Sequence, residues 1–208
     1  MNFHFNPPFP GCALAVRRQS QLDSSALLPE EASLLSGKAV QKRRTEFALG
    51  RAAAREALAG LGFPEPLPVL RGAGREPRWP EGVVGSITHC GELAIAVAAK
   101  QEGVKSIGID LEDVERITEE IVDVVANAAE RRWVFGGEDS KTRLAMLFSA
   151  KESVYKTIYP LEHRFFDFHA VELSWLPGPA RFAGRIEGYS LEVGCQLESN
   201  FVFTHAFL

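Results

Sequence analysis

Cysteine is scarce in this chain of 208 residues: Cys12, Cys90 and Cys195 are odd in number, far apart and never in a C-x-x-C pair. Neither a disulfide framework nor a zinc site is supported, and a reducing, cytoplasmic compartment is the expectation. No long apolar run of the kind that spans a bilayer occurs, so no membrane-spanning helix is expected. The stretch from Met1 to Pro10 lacks a basic segment followed by an apolar one, and does not read as a signal peptide. Positive charge is not in excess either, with 23 Lys and Arg against 27 Asp and Glu and a net charge of −4. Bulk nucleic-acid binding needs a basic surface and is not expected, whereas a local basic pocket for a phosphorylated small molecule remains compatible. No convincing Ser-His-Asp set supplies a nucleophile.

What is present is ordinary for a globular protein, 46% hydrophobic and 24% charged, and the length suits one domain or two small ones. Residues 1–11, rich in Phe and Pro, read as an irregular arm. Cys12 to Val16 is a candidate strand. Residues 30–61 turn helical, with strong helix formers over 41–58 and Phe47, Ala54 and Leu58 on one face. After a Pro- and Gly-rich loop over 63–82, residues 83–90 and 93–99 read as a hairpin turning near Gly91. A strand over 106–112 follows, then a helix over 118–134 with Ile121, Val124, Val125, Ala128 and Trp133 as its core stripe. A second helix is expected over 141–158, and four strands over 170–175, 180–186, 190–197 and 200–207. A shift by 100 places Phe47, Gly50 and Arg51 on Leu147, Ala150 and Lys151. That suggests a pseudo-repeat, with halves 1–103 and 104–208, in which only the second keeps a carboxylate at Glu152 (Ala52 in the first).

The segment Ile107 to Glu112 alternates apolar and polar residues, so Asp110 and Glu112 project from one face of a strand. Taken alone, the pair also fits an exposed strand edge running into a polar loop. On the helix over 141–158, Leu144, Leu147, Phe148, Tyr155 and Ile158 form the core stripe, with Ser149, Glu152 and Lys156 on a neighbouring face. A surface Glu-to-Lys pair explains Glu152 and Lys156 equally well. Lys151, however, falls beside the apolar stripe, where a simple surface helix would not place it. Together, Asp110, Glu112 and Glu152 make an all-oxygen donor set suited to a hard cation such as Mg²⁺, with Lys151 and Lys156 alongside for phosphate oxygens. Thr88 and His89 add a hydroxyl and an imidazole near a strand end.

Gly85 to His89, Gly108 to Glu112 and Phe148 to Lys156 resemble, in order and separation, the three signature motifs of 4′-phosphopantetheinyl transferases. Lys42 to Arg51 and Gly74 to Pro80 resemble the branch that includes enterobactin synthase component D. The resemblance covers roughly residues 40–160. It implies an α/β fold of two pseudo-twofold halves, each with helices packed on a small antiparallel sheet. It also implies transfer of the phosphopantetheine arm of coenzyme A to a serine of an apo acyl, peptidyl or aryl carrier protein, with release of adenosine 3′,5′-bisphosphate. Enterobactin-type siderophore, nonribosomal peptide or polyketide assembly would be the setting. Under the same resemblance Asp110, Glu112 and Glu152 would hold Mg²⁺, and Lys151 and Lys156 would face the pyrophosphate. Thr88 and His89 would contact phosphates, and Arg44, Arg51 and Arg75 would bind coenzyme A. Glu152 or Glu112 would accept the serine proton, and a monomer is expected. Two further readings stand beside this one: a Mg²⁺-dependent nucleotide or pyrophosphate hydrolase, and a binding module without turnover.

Overall fold

The computed structural model describes residues 3–23, 26–63 and 66–208. Its elements run β1 (Ala13–Arg18), α1 (Pro29–Ala32), α2 (Gln41–Gly60), β2 (Leu70–Arg71), β3 (Pro77–Arg78), β4 (Val83–Cys90) and β5 (Leu93–Lys100). They continue with β6 (Ile107–Asp113), α3 (Val122–Val125), α4 (Ala128–Phe135), α5 (Ser140–Glu162), β7 (Glu172–Leu176), β8 (Arg181–Ile186), β9 (Tyr189–Glu198) and β10 (Phe201–Phe207). The chain forms two compact units, Phe9–Ile107 and Gly108–Leu208, and the N-terminal arm up to Pro8 belongs to the second. Each unit is helix packed on antiparallel sheet, an α/β architecture.

In the first unit the sheet order is β1-β5-β4, both pairs antiparallel. The face toward α2 is built of small residues: Ala94, Ala96 and Ala98 from β5 meet Ala53, Ala54 and Ala57 from the helix in one buried cluster. Small side chains let helix and sheet backbones approach closely, and α2 adds Leu49 and Leu58 to the same buried cluster. The β4–β5 turn has Gly91 at φ +58° as its first central residue, which is the type II′ requirement for a two-residue hairpin.

In the second unit the order is β6-β10-β9-β8-β7, with α5 lying on the sheet. Leu144, Leu147, Val154 and Ile158 of α5 pack against Phe182, Ile186, Val193 and Val202 from the strands in one cluster. Asp139 caps the helix by accepting from Thr142 N, and His163 in the left-handed region ends it. The arm reaches this unit through Phe3 on Phe201 and Phe5 on Phe203, both at 5.1 Å between ring centroids. The Gln196 amide exchanges two hydrogen bonds with the Asn6 backbone, at 2.8 and 2.9 Å.

The single helix expected over 118–134 is two short helices. Ala126 and Asn127 are extended, and Asn127 starts α4 by accepting from Ala129 N and Glu130 N while Glu130 reaches back to Asn127 N. This reciprocal capping box makes a helix start more favourable here than a continuous helix. The core stripe changes with it: Val122, Val125, Ala126 and Val134 are buried, whereas Val124 is 59% exposed and Ala128 faces solvent.

On β10, the His205 imidazole lies over Gly194, where an added Cβ would come within 2.4 Å of Nε2. His205 lines a cavity of about 590 Å³ with Pro8, Pro179, Arg181, Glu192 and Phe207, and its Nδ1 finds no hydrogen-bond partner among the described residues. Burial pushes its pKa down to about 4 from the usual 6.5. The unfolded chain therefore takes up a proton near pH 6.5 that the folded chain refuses until near pH 4. Stability from this site is complete above pH 6.5 and is lost as pH falls toward 4, by about 3 kcal/mol at most. Replacing His205 with Gln is expected to flatten that loss, read as urea midpoints at pH 7 and pH 5. An equal acid-side loss in wild type and variant would contradict it.

Candidate active site

Strand β6 puts Gly108, Asp110 and Glu112 on one face, toward α5. A Cβ added at Gly108 would lie 2.0 Å from the Ser153 carbonyl oxygen and 2.5 Å from Thr157 Oγ1, so strand and helix backbones touch here with no side chain between them. That approach brings Lys156 onto the strand: its Nζ donates to Asp110 Oδ1 at 2.7 Å and to the Ile109 carbonyl at 3.1 Å. Asp110 is 5% exposed.

The neighbouring acids respond to the same crowding. Burial pushes the Glu112 pKa up to about 8, helped by the negative charges of Asp110, Glu152 and Asp113 and opposed by Lys156. Glu152 is raised too, by burial and then by Asp110, again against Lys156. Asp110, Glu112, Glu152 and Lys156 thus form one electrostatic group in which three acids share a single ammonium. An added cation would relieve it. Among the described residues no set of three or more His, Cys, Asp or Glu forms a ready-made metal cage.

Lys151 departs from its expected role. It is fully buried, and its Nζ donates to Glu130 Oε2 at 2.8 Å and to the Phe168 carbonyl at 2.9 Å. Its side chain stays with these partners inside the protein, so it does not present a charge to a phosphate. Burial lowers its pKa and Glu130 opposes the shift. Glu130 Oε1 also accepts from Leu173 N at 2.8 Å, so one carboxylate joins α4, α5 and β7. Ser149 is likewise buried, against Thr204 of β10 at 2.9 Å.

The other expected site residues lie in the first unit. Thr88 is buried and His89 exposed, because neighbours on β4 face opposite sides of its sheet. Arg51 is 6% exposed, with its guanidinium 4.4 Å from the Phe47 ring centroid and Nη2 on the Leu70 carbonyl at 3.1 Å. Burial pushes its pKa down to about 10, and it secures the base of the β2–β3 hairpin. Arg75 stands exposed at the tip of that hairpin, at φ +75°. Arg44 is committed to the preceding turn, donating to the carbonyls of Ala39, Gly37 and Ser36 at 2.9, 3.0 and 3.2 Å. Lys42 and Arg43 are the exposed cations beside it.

Sequence reasoning missed Glu130, Thr204 and the fully buried Glu31, which accepts from Leu28 N and Val69 N and pairs with Arg55. A signal for Glu130 was present in Asn127-x-x-Glu130, the capping-box spacing. Ser149, Ser153 and Thr157, at four-residue intervals, hinted at Thr204. Nothing comparable pointed to Glu31.

Comparison with known proteins bears on this geometry. The profile of the 4′-phosphopantetheinyl transferase N-terminal domain matches residues 30–99, and that of the 4′-phosphopantetheinyl transferase superfamily matches residues 106–202. Over 165 residues the chain is 41% identical to the 4′-phosphopantetheinyl transferase Svp of Streptomyces mobaraensis, covering 78% of this chain and 66% of that one. It is 38% identical to the 4′-phosphopantetheinyl transferase PptT of Mycobacterium tuberculosis, covering 76% and 69%. It is 40% identical to enterobactin synthase component D of Escherichia coli, covering 56% and 55%. The chain thus spans between about half and two thirds of the length of these relatives.

Proposed function

The chain belongs to the 4′-phosphopantetheinyl transferase family, and from that premise we propose that it transfers the phosphopantetheine arm of coenzyme A to a serine hydroxyl of an apo carrier protein. Adenosine 3′,5′-bisphosphate leaves. The observation that carries this reading is the group formed by Asp110, Glu112, Glu152 and Lys156, in which three acids outnumber one ammonium. The hydrolase alternative gains nothing from the comparisons, whose matches bear transferase or enterobactin synthase names.

In this reading Asp110, Glu112 and Glu152 would hold Mg²⁺. Bound there, it would supply charge neutralisation for the pyrophosphate and polarise a phosphoryl oxygen. Lys156, now held by Asp110, turns part of its hydrogen-bonding capacity to phosphate oxygen. Glu152 takes the serine proton, directly or through water. Arg75, Thr88 and His89 are assigned to coenzyme A, while the exposed Arg43 or Lys42 takes the part expected of Arg44. Arg51 supports coenzyme A binding by fixing the hairpin that bears Arg75. The nucleophile belongs to the partner.

The fuller reading is of a cytoplasmic monomer serving acyl, peptidyl or aryl carriers of siderophore, nonribosomal peptide or polyketide assembly. The scarce, dispersed cysteines and the relatives that bear the enterobactin synthase name support it. Among the described residues no helix is long and apolar enough to cross a membrane. The test is direct. Incubated with coenzyme A, Mg²⁺ and a panel of apo carriers, the protein is expected to add the mass of one phosphopantetheine arm to at least one of them. No mass gain on any carrier would overturn the reading.

A further inference from the structure

The residue of interest lies outside all three signature segments, on the C-terminal strand. Thr204 of β10 is fully buried, and its hydroxyl lies 2.9 Å from that of Ser149 and 2.7 Å from that of Ser153. One strand side chain thus grips two successive turns of α5. One turn further on, the Thr157 hydroxyl lies 2.8 Å from the Ser153 carbonyl and 3.2 Å from the Ala206 carbonyl of β10. Ser149, Ser153 and Thr157 are also fully buried. Buried hydroxyls are costly unless each finds a partner, and here β10 helps to satisfy all three.

We propose that Thr204 is a positioning residue for Glu152 and Lys156: its hydroxyl sets the axial register of α5 and so fixes how far along β6 those two side chains stand. The inference rests on the transferase reading above. Glu152 lies between the two serines in sequence, and Lys156 precedes Thr157. Sliding the helix by one residue is a movement of about 1.5 Å, which breaks at least one of the two hydroxyl contacts and carries the Glu152 carboxylate with it. A misplacement of about 1 Å at a reacting group costs on the order of a hundredfold in rate. Apolar packing alone tolerates such a slide better, because dispersion contacts lack direction, whereas two hydroxyls on one oxygen define a single register. Gly108 makes the same demand from the other side, since its missing side chain leaves β6 in direct contact with Ser153 and Thr157.

The experiment compares full-length Thr204→Val, which keeps the shape and loses the hydroxyl, with Thr204→Ser, which keeps the hydroxyl and loses a methyl. Carrier modification is followed for kcat and for KM of coenzyme A, and Mg²⁺ binding is measured separately by calorimetry. Expected for Thr204→Val is a kcat at least tenfold lower, a coenzyme A KM within twofold of wild type and Mg²⁺ binding weakened severalfold. Thr204→Ser should recover to within about threefold. Wild-type kcat and Mg²⁺ affinity in a folded Thr204→Val would overturn the proposal. Equal damage in Thr204→Ser would overturn it too, by assigning the effect to the methyl. If Thr204→Val fails to fold, Ser149→Ala/Ser153→Ala removes the same contacts from the helix side, and a wild-type kcat there has the same overturning force. Failure of the wild-type protein to modify any carrier is a separate result, seen before any variant is made, and it refutes the transferase reading itself.

Discussion

Asp110→Ala and Glu152→Ala are each expected to lower carrier modification by on the order of a thousandfold, with the fold intact. The rate effect follows from charge: each removes a carboxylate from the group proposed to hold Mg²⁺, and the loss of one preorganised electrostatic partner already costs a hundred- to a thousandfold in comparable sites. The stability effect is small because two contributions oppose. Losing Asp110 deprives Lys156 of its 2.7 Å partner, but that side chain is 27% exposed and its ammonium can be rehydrated. The same change removes one of the charges that raise Glu112 and Glu152, so the acids that remain ionise more readily. Single-turnover mass spectrometry beside thermal melts separates rate from folding. Near-normal turnover in either variant would refute the metal assignment.

The second large effect is structural. Glu130→Ala is expected to cost about 3–5 kcal/mol, because it leaves the fully buried Lys151 ammonium without a counter-charge. It also strands the backbone donors of Asn127 and Leu173, which Glu130 now accepts from at 2.8 Å each. Glu130→Gln keeps acceptor capacity but loses the charge, and should cost less. Replacing both partners, as in Glu130→Leu/Lys151→Met, should regain much of the loss on the Lys151 side, since an apolar pair of similar volume carries no desolvation penalty. Urea unfolding of the four proteins reads these differences. A Glu130→Ala variant within 1 kcal/mol of wild type would show that Lys151 is solvated in solution, contrary to its place in the structure.

These two sites divide what could be read in the sequence from what could not. Asp110 and Glu112 were legible because a strand alternates with period two, so two acids two apart must share a face. Glu152 and Lys156 were legible because i and i+4 share a helix face. Lys151 carried half of its own correction. Its place beside the apolar stripe set it apart from a surface lysine, but Glu130 lies 21 residues away on another helix, and local spacing cannot pair residues across elements. Arg44 shows the same limit: its cationic neighbourhood is plain in the sequence, whereas its donation to three carbonyls depends on how residues 36–39 turn. The break between α3 and α4 could have been read from Asn127 and Glu130, but the apolar residues on either side imitate one helical stripe. The hairpin, the two long helices and the run of late strands were readable from local pattern, whereas their packing as helix on antiparallel sheet was what the family resemblance implied.

The position of β10 has a consequence in time. It is the last strand among the described residues, yet in its sheet it lies between β6 and β9. During synthesis α5 is complete 39 residues before β10 begins, a gap read from Glu162 and Phe201. At translation rates of about 5–20 residues per second, α5 then waits several seconds with Ser149, Ser153 and Thr157 lacking their partners on β10. Strand β6 waits longer still for its neighbour. The acids are therefore among the earlier parts of this unit to be made, and their final alignment is among the last things to be set.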